Sequence, residues 1–219
     1  MGVPERRQRE KSERRESILV GAERVFVRKG ILSATMEDIA REAELSKGAL
    51  YLYFQSKDEL FLTIALRALE EFGERFAAAH ASASSRSGFD ALAAGLHEYV
   101  RYAIEQHDRF RAAMSWASVE YPVSPDTPLF EEYRQAIGRL HQISIDTIER
   151  GQADGSIRKD VVASRLGIQL WGASLGVILL DANRVEVERR FAGAGDLSAL
   201  SVEFVDLVLA GVRASAVTP

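Results

Sequence analysis

The segment Thr35–Leu60, TMEDIAREAELSKGALYLYFQSKDEL, constrains this chain more tightly than any other, because three helix starts crowd into it. Just before it, Phe26-Val-Arg-Lys-Gly30 closes a first helix. Arg28 and Lys29 complement the negative end of the helix dipole, and Gly30 is free to take the left-handed stop conformation. Thr35 with Asp38 three residues on predicts a capping box that opens a second helix. Ala43-Glu44-Leu45 reads as a tight turn, and Ser46 as the cap of a very short third helix through about Tyr53. Ser56-x-x-Glu59 predicts another capping box, starting a fourth helix at Lys57. A helix of two turns cannot hold itself together in water, since nucleation is costly. Packing must hold it, and Leu50 and Phe54, four apart, are the expected anchors.

The side of the short helix away from those anchors carries Lys47, Gly48, Ala49, Tyr51 and Tyr53. Gly48 and Ala49 let the backbone approach a groove floor, and an alanine methyl can touch a thymine methyl. The hydroxyls of Tyr51 and Tyr53 and the ammonium groups of Lys47 and Lys57 suit phosphate oxygens. Thr35 and Ser46 add two positive helix ends for anions. The expected partner is double-stranded DNA, read by a helix-turn-helix. A plain aromatic core of Tyr51, Leu52, Tyr53 and Phe54 would leave both lysines and the short helix unexplained.

These residues resemble the tetracycline-repressor-like (TetR-like) family of transcriptional regulators. The matching elements are Ala22-x-x-x-Phe26-x-x-x-Gly30, Thr35-x-x-Asp38-Ile39-Ala40-x-x-Ala43, and Ser46-x-Gly48-x-x-Tyr51-x-Tyr53-Phe54-x-x-Lys57-x-x-Leu60. They cover the first quarter of the chain densely. One position departs from the pattern: Glu44 stands where such proteins usually carry glycine, at a cost of about 1 kcal/mol if the left-handed turn is kept.

Composition narrows the alternatives. The chain has 219 residues, is 47% hydrophobic and contains no Cys, so disulfides, thiolate metal sites and cysteine nucleophiles are excluded together. A reducing, cytoplasmic setting is the expectation, and the charged start, Met1–Arg7, predicts no secretion signal. The apolar run Leu166–Leu180 is short and includes Gln169 and Ser174, so no membrane partner is expected. Net charge is −4. DNA binding must then rest on placed contacts more than on a basic field. The first 60 residues carry 12 Lys and Arg against 11 Asp and Glu. The bias is sharper in the N-terminal arm, where Arg6, Arg7, Arg9, Lys11, Arg14 and Arg15 face only Glu5, Glu10 and Glu13. That arm reads equally as a DNA-reaching segment or as a solvated end.

Beyond Leu60 the periodicity is helical throughout, with no strand alternation. The fold expected is all-α, with about nine helices. Residues 1–58 form a helix-turn-helix head with its arm, and residues 59–219 an effector-binding and dimerisation domain. Within the latter, Leu166, Leu170, Gly176, Val177 and Leu180 on one helix and Leu200, Phe204, Leu207 and Val208 on the last predict a homodimer surface. The resemblance implies the same pairing of final helices.

Tyr99, Tyr102, Phe110, Met114, Trp116, Tyr133, His141 and Trp171, with Tyr121, Phe130, His107 and Gln169, form a candidate pocket for a small apolar or aromatic effector. The four histidines lack metal-ligand spacing, and no nucleophile elbow or phosphate loop occurs, so neither a cofactor nor an enzyme is expected. The sequence therefore reads as a ligand-responsive DNA-binding regulator, most simply a dimeric repressor of a near-palindromic operator. A DNA-binding protein of the same fold, working through a protein partner outside transcription, is the alternative.

Overall fold

The computed structural model describes residues 3–110, 126–191 and 199–214. Among these the protein is all-α. Its nine helices are α1 (Val3–Lys29), α2 (Met36–Glu42), α3 (Lys47–Tyr51), α4 (Lys57–Ala83), α5 (Gly88–Glu105), α6 (Pro128–Asp154), α7 (Ala163–Ala182), α8 (Arg184–Arg190) and α9 (Leu200–Val212). Residues 107–110 add a further helical turn. One isolated bridge, Ile157 with Arg213, is the extended pairing among the described residues. The chain forms two compact units: residues 1–70 with 108–135, and residues 71–107 with 136–219.

In the first unit, α1 stops at Gly30, whose φ of 73° closes the helix with a 2.9 Å bond from its N–H to the Phe26 carbonyl. Thr35 caps α2 through the predicted box: its hydroxyl accepts from the Asp38 N–H at 3.1 Å, and Asp38 accepts from the Thr35 N–H at 3.2 Å. At the start of α4 the Ser56 hydroxyl accepts from the Glu59 N–H at 3.1 Å. The Glu59 carboxylate, however, reaches back to the Gln55 N–H, one residue earlier than a capping box requires. Ile18, Ala22, Val25, Ile39, Leu50, Phe54, Leu60, Phe61 and Ile64 are buried in a single core. Phe26 meets Phe61 edge-on at 6.2 Å. Burying each such large side chain contributes about 1.5–3 kcal/mol. The expected boundary at residue 58 therefore falls inside this unit, because Leu60, Phe61 and Ile64 complete the core of the head.

The second unit is built on close approaches. Ser87 caps α5 by accepting from the Asp90 N–H at 3.0 Å. The next two amides cross to the end of α6: Gly88 N–H donates to Asp154 Oδ2 at 2.7 Å and Phe89 N–H to Ser156 Oγ at 3.0 Å. A Cβ on Gly88 would sit 2.2 Å from the backbone nitrogen of Gly151. Farther along α5, Gly95 receives the His80 ring, whose Nε2 lies 1.9 Å from where a Cβ would be. α4 continues to Ala83, into a stretch whose small polar residues suggest a loop. There the Ser82 and Ser84 hydroxyls donate to the Ala79 and Ala81 carbonyls, satisfying groups that a helix end leaves open.

Candidate nucleic-acid interface

The turn between α2 and α3 carries a non-glycine residue in the left-handed region, Glu44 at φ 55°. Bonds from Glu44 N–H to the Arg41 carbonyl and from Leu45 N–H to the Ala40 carbonyl tighten it. Ser46 then caps α3, its hydroxyl accepting from the Ala49 N–H at 3.2 Å. Leu50 and Phe54 are fully buried, the two anchors that fix this five-residue helix. The helix ends at Tyr51, two residues before the expected limit, and bonds from the Tyr53 and Phe54 N–H groups to the Leu50 carbonyl turn the chain back.

Lys47, Gly48 and Tyr51 are exposed, and a Cβ at Gly48 would meet nothing within 4 Å. Tyr51 is 43% exposed and the neighbouring Leu52 is 82% exposed. Leu52 joins this surface although an aliphatic residue between two tyrosines gave no sign of it. Ala49 is half-buried, and Thr35 and Ser46 are exposed at their caps.

Two of the eight expected contact residues are half-buried and have partners within the head. Tyr53 is partly buried, packed against the core rather than turned away from it. The Lys57 ammonium donates to the carbonyls of Ile31, Leu32 and Ala34 at 2.8, 3.2 and 3.1 Å, tying the α1–α2 loop to the start of α4. Its cation serves carbonyl dipoles, because the loop leaves three of them converging there.

The charge of the interface is held by ion pairs between elements. Lys47 at the start of α3 pairs with Glu37 on α2, and that hydrogen-bonded carboxylate pushes the ammonium further up from its ordinary value. Lys29 pairs with Asp38 at 2.7 Å and Arg28 with Glu42 at 2.9 Å, joining α1 to α2. The hydrogen bond from Lys29, with that from Thr35, brings the Asp38 carboxyl down to about 2, so the cap is charged at neutral pH. Glu37 was not foreseen as part of this edge. It lies ten residues from Lys47, a spacing no helix periodicity picks out.

The residues proposed to line an effector pocket are divided between the two units. Phe110 and Tyr133 are buried in the first unit. Tyr99 and Tyr102 are buried in the second, their rings 5.6 and 5.3 Å from Phe72 of α4. Arg75 stands over the Tyr102 ring at 5.1 Å and pairs with the buried Glu98 at 2.5 Å. His141 lies against Gly167, and Trp171 is largely on the surface. Met114, Trp116 and Tyr121 lie outside the described residues. Among the described residues no cluster of three His, Asp or Glu could hold a metal ion.

The residues expected at a dimer surface are partly inward and partly outward. Leu166 and Leu170 are buried within the second unit. The outward side of α7 carries the expected Leu180 and Gly176 together with Ile168, Trp171, Leu179 and Gly172, both glycines open. On α9 Leu207 is 70% exposed and Val202 is exposed, whereas Leu200, Phe204 and Val208 are half-buried, as is Val177 on α7. α7 is long and apolar enough to cross a membrane by length and composition alone. Its buried stripe faces the unit's own core, as in any amphipathic packing helix.

Comparison with known proteins agrees with this geometry. Residues 18–64 match the family described as bacterial regulatory proteins, tetR family. The chain is 39% identical over 92 residues to the HTH-type transcriptional regulator YfiR of Bacillus subtilis, a match covering 40% of this chain and 45% of that protein. The chain thus spans less than half the length of the first curated relatives it matches, 28% in the case of the repressor BepR of Brucella suis. Similarity to the transcriptional repressor KstR2 of Mycolicibacterium smegmatis is lower, at 25% identity, but covers 92% of both chains. A tetR-family regulatory protein from Rhodococcus RHA1 shares the fold at a TM-score of 0.66, with 21% identity over 92% of this chain and 98% of that one.

Proposed function

We propose that this chain, a DNA-binding transcriptional regulator of the TetR-like family, represses from a near-palindromic operator as a homodimer and leaves it when a small apolar or aromatic molecule binds. The observation that carries the DNA half is the edge of α3, where an open Gly48 and exposed Lys47, Tyr51 and Leu52 stand on a helix clamped by Leu50 and Phe54. One helix of five residues reaches few base pairs. Two heads on successive turns, about 34–36 Å apart, give an operator enough length to be distinctive.

The apolar outward side of α7 and α9 supports pairing of two copies. Ile168, Trp171 and Leu207 are poor company for water, and Gly172 and Gly176 allow a second helix to approach closely. The effector reading rests on the aromatic packing of Phe72, Tyr99 and Tyr102 along α4 and α5. α4 is one continuous helix from Lys57 to Ala83, so a molecule bound beside its second half bears on the helix whose first turn carries the head. DNA and effector then oppose each other with equal coupling energy.

Footprinting on the promoter beside its own gene tests this directly. Protection of two half-sites one turn apart, lost on adding an apolar ligand found by thermal-shift screening, is the expected result. Protection of a single half-site by a chain that sediments as a monomer would overturn the dimeric reading.

A further inference from the structure

The N-terminal arm is not a tail but the first turns of α1, which runs unbroken from Val3 to Lys29. Along that helix Ile18, Ala22 and Val25 are fully buried in the head core. The same seam, stepped back by four, three and four residues, is Arg14, Lys11 and Arg7. The face that is core in the head thus becomes a row of three exposed cations where the helix outruns the core.

The other cations of the arm are accounted for. Arg6 pairs with Glu10 at 2.8 Å and Arg9 with Glu13 at 3.5 Å, while Glu16 is taken by Arg67 at 2.8 Å. Arg15 lies over the Phe54 ring at 4.7 Å, next to the chain leaving α3. Arg7, Lys11 and Arg14 have no carboxylate partner among the described residues, although four acids lie within the same stretch. Like charges four apart on a helix repel one another, and this segment has no core to offset that. A solvated arm is better served by the pairs that Arg6 and Arg9 make.

We infer that the Arg7–Lys11–Arg14 seam is a phosphate-contacting strip that grips duplex DNA flanking the bases read by α3. This rests on the DNA-binding reading and extends it. The strip rises about 10 Å from Arg7 to Arg14, comparable with about three phosphate-to-phosphate steps along one strand. An α-helix about 10–12 Å wide does not enter a minor groove about 6 Å wide, so the strip lies along the backbone and carries no base preference.

The test is the binding of the full chain, native and R7Q/K11Q/R14Q, to a duplex from its own promoter across a salt series. Each phosphate contact adds about 0.9 to the slope of log affinity against log salt. The variant is expected to lose between two and three units of slope per chain and to bind at least tenfold more weakly. Its preference for the site over a scrambled duplex stays unchanged. The charge-keeping R7K/K11R/R14K is expected to restore the native slope, which a purely structural role of these side chains would not predict. A native slope in the glutamine variant overturns the strip while leaving the α3 reading intact. Failure of the native chain to bind at low salt overturns both.

Discussion

The head and the second unit solve the same packing problem in opposite ways. In the head, each helix is started and stopped by its own neighbours in sequence: Gly30, Thr35 with Asp38, Ser46, and Ser56. The core beneath them is apolar, with the buried Thr63 hydroxyl bonded within its own helix, and the chemistry sits outside on exposed ends. In the second unit, the decisive contacts join residues about sixty apart, such as Gly88 with Gly151 and His80 with Thr147, and polar groups are carried inward. His80 is 5% exposed, with Nδ1 3.0 Å from the Thr147 hydroxyl and Nε2 without a hydrogen-bond partner. A module that must offer a surface keeps its polar groups there. A module that must hold helices close spends glycines to do it.

The contrast breaks most readily at Gly88. Gly88→Ala drives a methyl into the backbone of Gly151, which cannot rotate away, and is expected to cost about 3 kcal/mol or more in urea unfolding. Gly48→Ala, facing open space, is expected to leave the midpoint almost unchanged. Equal loss in both would end the distinction drawn here.

Next in size is acid sensitivity. Burial, with a smaller contribution from Arg150, holds the folded His80 imidazole down at about 4, below its ordinary value of 6.5. Between those values the unfolded chain binds more protons, so the stability is complete above about pH 6.5 and falls as pH drops toward 4. A shift of this size corresponds to roughly 3 kcal/mol. His80→Gln is expected to flatten that part of the profile, and a native midpoint already flat from pH 7 to 4.5 would refute the assignment.

Lys57→Met sharpens the comparison from the other side. It removes three charge-assisted bonds to the α1–α2 loop, and about 2 kcal/mol of stability should go with them. Hydrogen exchange is the suitable measurement, with faster exchange expected in the head amides and little change in α5. Smallest is Glu44→Gly, which relieves a left-handed residue and is expected to raise stability by about 1 kcal/mol. It also removes a carboxylate from the neighbourhood of DNA, so affinity should rise as well. A variant that melts earlier would show the turn to be held by the Glu44 side chain.

Much of the head was legible in the chain because its signals are local. Caps, the left-handed stop and the paired anchors Leu50 and Phe54 all lie within a turn or two of what they control. The surroundings of Tyr53 and Lys57, the core and the Ile31–Ala34 loop, were not legible, because folding brings them there. The outward side of α7 was harder still. Between Leu166 and Leu180 the helix has few polar residues to say which stripe turns inward, and the stripe through Leu166 and Leu170 proved to be the buried one.

By itself the sequence determined an all-α chain with a short, capped helix after a tight turn, and the residues at that helix's edge. Those features depend on backbone rules acting over three or four residues. Tertiary structure alone decided that Glu37 meets Lys47, that His80 rests on Gly95, and that the basic seam of α1 continues a buried one. Each of those depends on which surfaces come within contact distance, and spacing along a chain does not encode that.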